Sequence, residues 1–325
     1  MAFRTGTAAD HADLYAALID FLTADAALVS AGEEWSVVWT ASGGQQDGVV
    51  LKGPGLAASD SIYVSLRLEA NVGTDTALIR LHGMTGYLSA GLSFIDHVNV
   101  SPSSVVMFLR TQAMDYWFTA NGRRFIASAR VSTVYESMYA GFFLPYCLPD
   151  QYPYPMFVGG CGSYGKSNSA SSWKSTVDDH AYFARGTANG SASGPSAWML
   201  SPQGDWLGAA VNSNGSINIG PSYFGGSANF VIAADGQFNA WGYATVESRI
   251  VQAYGQEWAL RPITLTQSSP GDQTFGALDG AYHVGGRGQS VENVITVDAI
   301  DYIVMQNTFR TATLEMWAMQ LGEST

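Results

Sequence analysis

The chain has 325 residues, room for one large or two ordinary domains, and 47% of them are hydrophobic, enough to fill a core. A formal charge of −12, a pI near 4.6 and lysines only at Lys52, Lys166 and Lys174 argue against a phosphate-binding surface, so no direct nucleic-acid binding is expected. The 36 glycines and 12% aromatics, beside few Lys and Glu, favour strands and turns over helices.

Residues 1–4 lead straight into polar sequence, so no signal peptide is expected. No apolar run approaches the roughly 20 residues of a bilayer span, so the expectation is a soluble product made in the cytoplasm with no membrane partner. Residues 7–29 read as one helix, capped by Thr7 or Asp10, with Leu14, Leu18, Phe21, Leu22 and Leu28 at helical spacing and Gly32 ending it. Strands are predicted at 35–39, 49–51, 62–68 and 77–81, separated by Gly/Pro/Asp punctuation. Within 62–68, Ile62, Val64, Leu66 and Leu68 alternate with Tyr63, Ser65 and Arg67, the pattern of a sheet with one buried face.

Residues 115–158 hold the densest aromatic sequence. Tyr116 to Thr119 is β-prone and Asn121-Gly122 supplies a tight turn. The return run sets Phe125, Ala127, Ala129 and Val131 against Arg124, Ser128 and Arg130. Tyr135, Tyr139 and Phe142/Phe143 follow at a spacing that predicts a short helix or turn. Pro145, Pro149, Pro153 and Pro155 then impose an extended path. Core packing is the usual fate of such aromatics. The sharper alternative is a protein–protein contact, with Tyr135, Tyr139, Tyr146, Tyr152, Tyr154, Arg123 and Arg124 as candidate interface residues.

The expected organisation is α+β. An N-terminal helix packs on an antiparallel sheet (1–158), a Gly/Ser-rich loop or arm follows (159–195), and a mostly antiparallel β-sandwich or barrel-like second domain closes the chain (196–325). In that last part, runs at 197–200 and 206–211, and again at 230–233 and 238–243, share an apolar-run, Gly-turn, aromatic-run pattern, a weak internal repeat. Residues 294–297 and 302–306 predict a hairpin and 314–321 a further strand.

Few residues argue for chemistry. GCGSYGKS at 160–167 fits a phosphate-binding loop literally, but no helix-forming sequence follows it and the chain lacks βαβ alternation. His11, His82, His97, His180 and His283 fall in no metal-ligand spacing, and His180 beside Asp178 and Asp179 reads first as a solvated loop. Glu136, Asp179 and Glu257 are the carboxylates that a polysaccharide hydrolase would draw on, marked only by their aromatic surroundings. Trp198, Trp206 and Trp241 would stack on a host-surface glycan if exposed. Cys147 and Cys161 are too few for a disulfide framework and read as free buried thiols. No cofactor, metal or catalytic residue is expected.

Several segments, in consistent order, resemble a family of tailed-bacteriophage virion proteins. They are FRTGTA (3–8), LKGPGL (51–56), YWFTANGRRFI (116–126), VSTVYES and YAGFFLPY (131–146), QYPYP (151–155), GALDGAYHVGG (276–286), ENVITV (292–297) and YIVMQNTFRT (302–311). Residues 170–273 match poorly. The resemblance implies a non-enzymatic structural part of the virion tail, assembled in the host cytoplasm. The tail tip or baseplate is the first choice and a collar or tail-end ring the second. Its expected partners are other copies of itself and neighbouring tail proteins, joined through symmetric contacts.

Overall fold

The computed structural model describes residues 1–41, 46–73, 75–164, 182–184, 197–209, 231–234, 260–267, 273–284, 290–308 and 316–323. In chain order, β1 (Ala2–Ala8) precedes α1 (His11–Ala24) and α2 (Ala26–Ala31), then β2 (Ser36–Ala41), β3 (Gln46–Gly53), β4 (Ile62–Gly73), β5 (Thr76–Met84) and β6 (Ser104–Arg110). There follow β7 (Met114–Ala120), β8 (Arg124–Val131), β9 (Val134–Phe142), β10 (Leu144–Pro145), β11 (Met156–Gly159), β12 (Gly162–Tyr164), β13 (Ala197–Leu200) and β14 (Trp206–Gly208). The last strands are β15 (Val231–Ala234), β16 (Leu260–Gln267), β17 (Gln273–Val284), β18 (Val294–Val297), β19 (Ile300–Gln306) and β20 (Met316–Glu323).

These strands form three sheets, ordered β1-β7-β8-β9-β11-β13-β14, β12-β6-β5-β4-β3-β2, and β15-β16-β17-β20-β19-β18 with β10 added beside β17. Every strand pairing among the described residues is antiparallel. The architecture is therefore mostly antiparallel sheet with helix confined to the N-terminus.

The first of these sheets is the middle layer, because its side chains alternate between two separate cores. Phe118, Phe125, Ala127, Ala129, Met138, Ala140, Met156 and Val158 join an aliphatic core shared with Val64, Leu66, Ile79, Leu81, Val105 and Met107 of the β2–β6 sheet. Trp117, Ile126, Tyr135, Tyr139, Phe157 and Met199 point the other way, into a core with Leu265, Leu278, Met305, Trp317 and Met319 of the C-terminal sheet. The nine residues of β9 are all buried. Burial on both faces takes in even its polar residues, Glu136 and Ser137.

This double burial corrects one expectation and qualifies another. Residues 134–142 form a strand, not a helix or turn. Tyr135 and Tyr139 are four apart, a spacing that also places two residues on one face of a strand, and here they share the aromatic core. The alternation along β8 holds, and two of its three polar side chains are buried as well: Arg124 and Ser128 are both 0% exposed, while Arg130 is half-buried. Each is satisfied internally, Ser128 Oγ donating to the Glu136 carbonyl at 3.2 Å and Arg124 through the network described below.

The N-terminus differs from its reading as well. Thr7 belongs to β1, which pairs with β7, and the helical stretch is broken in two. Asp10 caps α1 by accepting from the Ala12 and Asp13 amides, which holds its own carboxyl below the ordinary range. Asp25 ends α1 and caps α2 by accepting from the Ala27 amide, and Gly32 closes α2 at φ 67°. By length and composition alone, His11–Ala31 is apolar enough to cross a membrane, which the reading of apolar runs missed. Its Leu14, Leu18, Phe21, Leu22 and Leu28 lie in the aliphatic core, each such burial contributing about 1.5–3 kcal/mol. Tyr15 Oη donates to the Leu66 carbonyl at 3.0 Å, and the Phe21 ring meets Phe118 at 5.9 Å.

The boundary expected at residue 196 does not separate sheets. β13 and β14 continue the middle sheet from β11, β12 extends the β2–β6 sheet, and Leu144–Pro145 pairs with Ala277 and Gly276 of β17. The β18–β19 hairpin and the strand at β20 match their predictions, and the runs read at 197–200 and 206–211 pair as β13 and the shorter β14. Residues 238–243, the second half of the weak repeat, lie outside the described residues.

Candidate functional site

The proline-rich segment after β9 is pinned at both ends. At its start Leu144–Pro145 pairs with β17, and the Tyr146 amide donates to the Phe275 carbonyl at 3.0 Å. Gly276 is required there, since a Cβ would strike the Leu144 carbonyl. Pro149 opens a single 3-10 turn, Pro149–Gln151, its missing N–H costing nothing at that position. The chain then re-enters the interior. Tyr152 is 2% exposed, donates to the Leu200 carbonyl and meets Phe143 edge-on at 5.3 Å. Tyr154 Oη donates to the Ser61 carbonyl at 2.7 Å while its ring meets Phe142 at 4.7 Å. Burial pushes both phenols up.

Between those anchors the segment faces outward. Leu144, Tyr146 and Leu148 are 40%, 59% and 68% exposed, with the free thiol of Cys147 exposed among them. Three large apolar side chains exposed within five residues of a clamped loop make this segment a candidate contact surface. Cys147 thus departs from the expectation of a buried thiol, which only Cys161 meets.

The other expected interface residues are spent mostly on the chain's own interior. Tyr139 is fully buried, donates to the Phe142 carbonyl at 3.0 Å, and has its phenol pushed up by burial. Arg124 is fully buried: its Nε reaches Asp279 at 3.2 Å and its Nη1 donates to Thr119 Oγ1 at 3.0 Å. Gly280, at φ 71°, leaves space for that guanidinium, with which a Cβ would collide. Asn121 adds a bond to Asp279 at 3.0 Å and caps the turn amides of Arg123 and Arg124 at 2.8 and 3.0 Å. Arg123 is half-buried. Tyr135 is 8% exposed and donates to Glu292, which also receives Arg130 at 2.6 Å. Burial first, and then the bond to Glu292, pushes the Tyr135 phenol up to about 12. Arg130 also pairs with Asp115, whose carboxyl is held low first by the Thr7 hydroxyl at 2.6 Å. Of the seven residues, Tyr146 alone is exposed.

A second site, which sequence reasoning missed, lies on the outer face of the β2–β6 sheet. Register pairs Ser65 with His82 and Arg67 with Arg80, so these four side chains form a block on adjacent strands. Glu69 accepts from Arg67 and, at 2.8 Å, from Arg80. The loop 85–102 folds over this block. It is held by Val98 to Gly86 at 3.1 Å, by Ser101 to Gly83 at 2.9 Å and by Trp206 Nε1 to the Asn99 carbonyl at 2.9 Å. Phe94 of the loop lies on Gly48, where a Cβ would meet its ring. A cleft of about 50 Å³ remains, lined by Ser65, Arg67, Arg80, His82, Ser93, Phe94 and Ile95. The available signal was alternation: Ser65, Arg67 and Glu69, with Arg80 and His82, occupy every second position of two neighbouring strands.

The rival chemistries fare differently. Gly162–Tyr164, inside the phosphate-loop match, is an edge strand paired with β6, and Gly160 lies against the Val106 backbone. Cys161 receives the Ser137 amide at 3.0 Å, donates to the Ser137 carbonyl at 3.2 Å, and has its thiol pushed well up by burial and by Glu136. Glu136 itself is 0% exposed, beyond reach of a polysaccharide. Trp198 and Trp206 are half-buried against the aliphatic core, and Trp198 Nε1 donates to Ser103 at 3.1 Å. Among the described residues no group of three His, Cys, Asp or Glu is placed to hold a metal. Residues 165–167, Asp178, Asp179, His180, Trp241 and Glu257 lie outside the described residues. No protein-family model matches the chain, and no curated protein matches it significantly.

Proposed function

We propose that this protein is a non-enzymatic structural component of a tailed-phage virion, at the tail tip or baseplate, and that its copies meet neighbouring subunits through the Leu144–Tyr146–Leu148 loop. The observation that carries this reading is the exposure of those three side chains on a loop anchored by β17 and by Tyr152. The family-like segments of the sequence supply the setting: one of them ends with Leu144 to Tyr146, and the next begins at Gln151, just past Leu148. A specific interface buries about 800 Å² per partner, and its energy concentrates in a few central apolar or aromatic anchors. Leu144, Tyr146 and Leu148 are those anchors, with the partly exposed rim around them supplying complementarity. Pinning the loop at both ends lowers the ordering entropy that association would otherwise cost. The rest of the aromatic segment acts as the rigid mount.

Immunogold labelling or cryo-EM of purified particles tests the setting. The protein is expected at one end of the tail, and its absence from particles ends the proposal. Replacing Leu144, Tyr146 and Leu148 together by serine is expected to leave the fold intact by circular dichroism while blocking incorporation.

A further inference from the structure

The cleft on the outer face of the β2–β6 sheet has a composition that the structural role does not use. We propose that it is a binding site for a small tetrahedral oxyanion of the phosphate or sulfate class. Its polar lining consists of Arg67, Arg80, His82, Ser65 and Ser93, all of them able to donate, with no carboxylate among them. Glu69 holds both guanidiniums without itself lining the space, so it orients them and neutralises only one of their two charges.

Arg67 supplies the second observation. Its Nε is buried and has no hydrogen-bond acceptor, although its Nη2 is engaged by Glu69. A buried donor without a partner points to an acceptor that occupies the site. Arg80, 5% exposed, and His82, 6% exposed and fixed through Nδ1 to Ser101 Oγ at 3.2 Å, form the floor. The donors approach from three directions: Ser65 and Arg67 from β4, Arg80 and His82 from β5, and Ser93 from the covering loop. A planar carboxylate is matched by a single guanidinium fork, whereas donors spread out of one plane suit a tetrahedral acceptor. The cleft's 50 Å³ is several times the minimum of about 10–15 Å³ for a single water, the scale of one small oxyanion. Phe94, with the Arg67 guanidinium 5.9 Å from its ring centroid, shields the site from solvent and strengthens the charge-assisted bonds within it.

The test is isothermal titration of the full chain with inorganic phosphate against chloride at matched ionic strength, with acetate as a third arm. One saturable site for phosphate is expected, weakened at least tenfold in Arg67→Gln and unchanged in Arg130→Gln, which removes an arginine of the unrelated Asp115–Glu292 network. Should Arg67→Gln fail to fold, the Arg67 Nε–H resonance of the unaltered protein is followed by NMR, and a saturable shift with phosphate is the expected result. No saturable phosphate binding by either readout, equal binding by a folded Arg67→Gln, or saturation by acetate in place of phosphate would each overturn the proposal. Because none of these readouts involves assembly, the result is independent of the virion reading.

Discussion

The two faces of the middle sheet solve the same problem with different side chains. Towards the β2–β6 sheet the interior is mostly aliphatic, and the middle sheet contributes the small residues Ala120, Ala127, Ala129 and Ala140 beside Phe118, Phe125 and Met138. Towards the C-terminal sheet the interior is aromatic and studded with bonded polar atoms: Trp317 Nε1 donates to the Gln306 carbonyl at 3.3 Å, Tyr182 stacks on Trp317 at 5.8 Å, and Arg124 is held by Asp279. Aliphatic packing is non-directional and tolerates repacking at constant volume. Aromatic and hydrogen-bonded contacts fix orientation as well as distance. The contrast teaches that the aliphatic face supplies bulk stability. The aromatic face fixes how the C-terminal sheet sits, and with it the β10–β17 pairing that presents the exposed loop.

That comparison can be broken at graded cost. The largest effect is expected for Arg124→Leu, which takes the guanidinium from Asp279, leaving it the Asn121 amide, and removes the bond to Thr119. Losing one partner of a buried pair costs about 3–5 kcal/mol, readable as a lower midpoint in urea. Next comes Ala127→Leu on the mostly aliphatic face, where over-packing of the core should cost about 1–3 kcal/mol by the same measurement. Smaller again, and opposite in kind, are two isosteric changes. Tyr139→Phe, losing the bond to the Phe142 carbonyl and the one accepted from the Asp279 amide, should cost about 1–2 kcal/mol, whereas Leu81→Met should cost less than about 1.5 kcal/mol and leave the aromatic near-UV signal unchanged.

The smallest effect is a pH dependence at the rim of the aromatic face. The folded Tyr135 phenol sits at about 12, above its unfolded value of about 10. A raised folded pKa means that its contribution is complete below pH ~10 and is lost as pH rises through about 12. Absorbance titration at alkaline pH should show that step, and Tyr135→Phe should remove it.

Much of this fold was legible, for identifiable reasons. The β7–β8 turn at Asn121-Gly122, the alternation in β4 and the β13–β14 and β18–β19 hairpins all carry local signals of turn residue and period. What was not legible depends on a third layer. Arg124 and Ser128 look like a solvent face until the C-terminal sheet covers them. Tyr135 and Tyr139 satisfy helical and strand spacing equally, and only pairing with β8 and β11 decides between them. The exposed loop was partly legible, since the tyrosines and prolines marked 145–155. Which tyrosines turn inward depended on Phe143, Leu200 and Ser61, all distant or unremarkable in sequence. The oxyanion cleft needed register: Arg67 and Arg80 become neighbours only once β4 pairs with β5.

The central claim is that the Leu144–Leu148 loop is covered by a neighbouring subunit, and Cys147 reports on it directly. It is an exposed thiol inside the loop, whereas Cys161 is buried with its thiol pushed well up and will not compete for a reagent. Maleimide labelling of Cys147 is to be timed in the free chain and in purified particles. The account predicts labelling at least tenfold slower in particles; equal rates in the two states would contradict it.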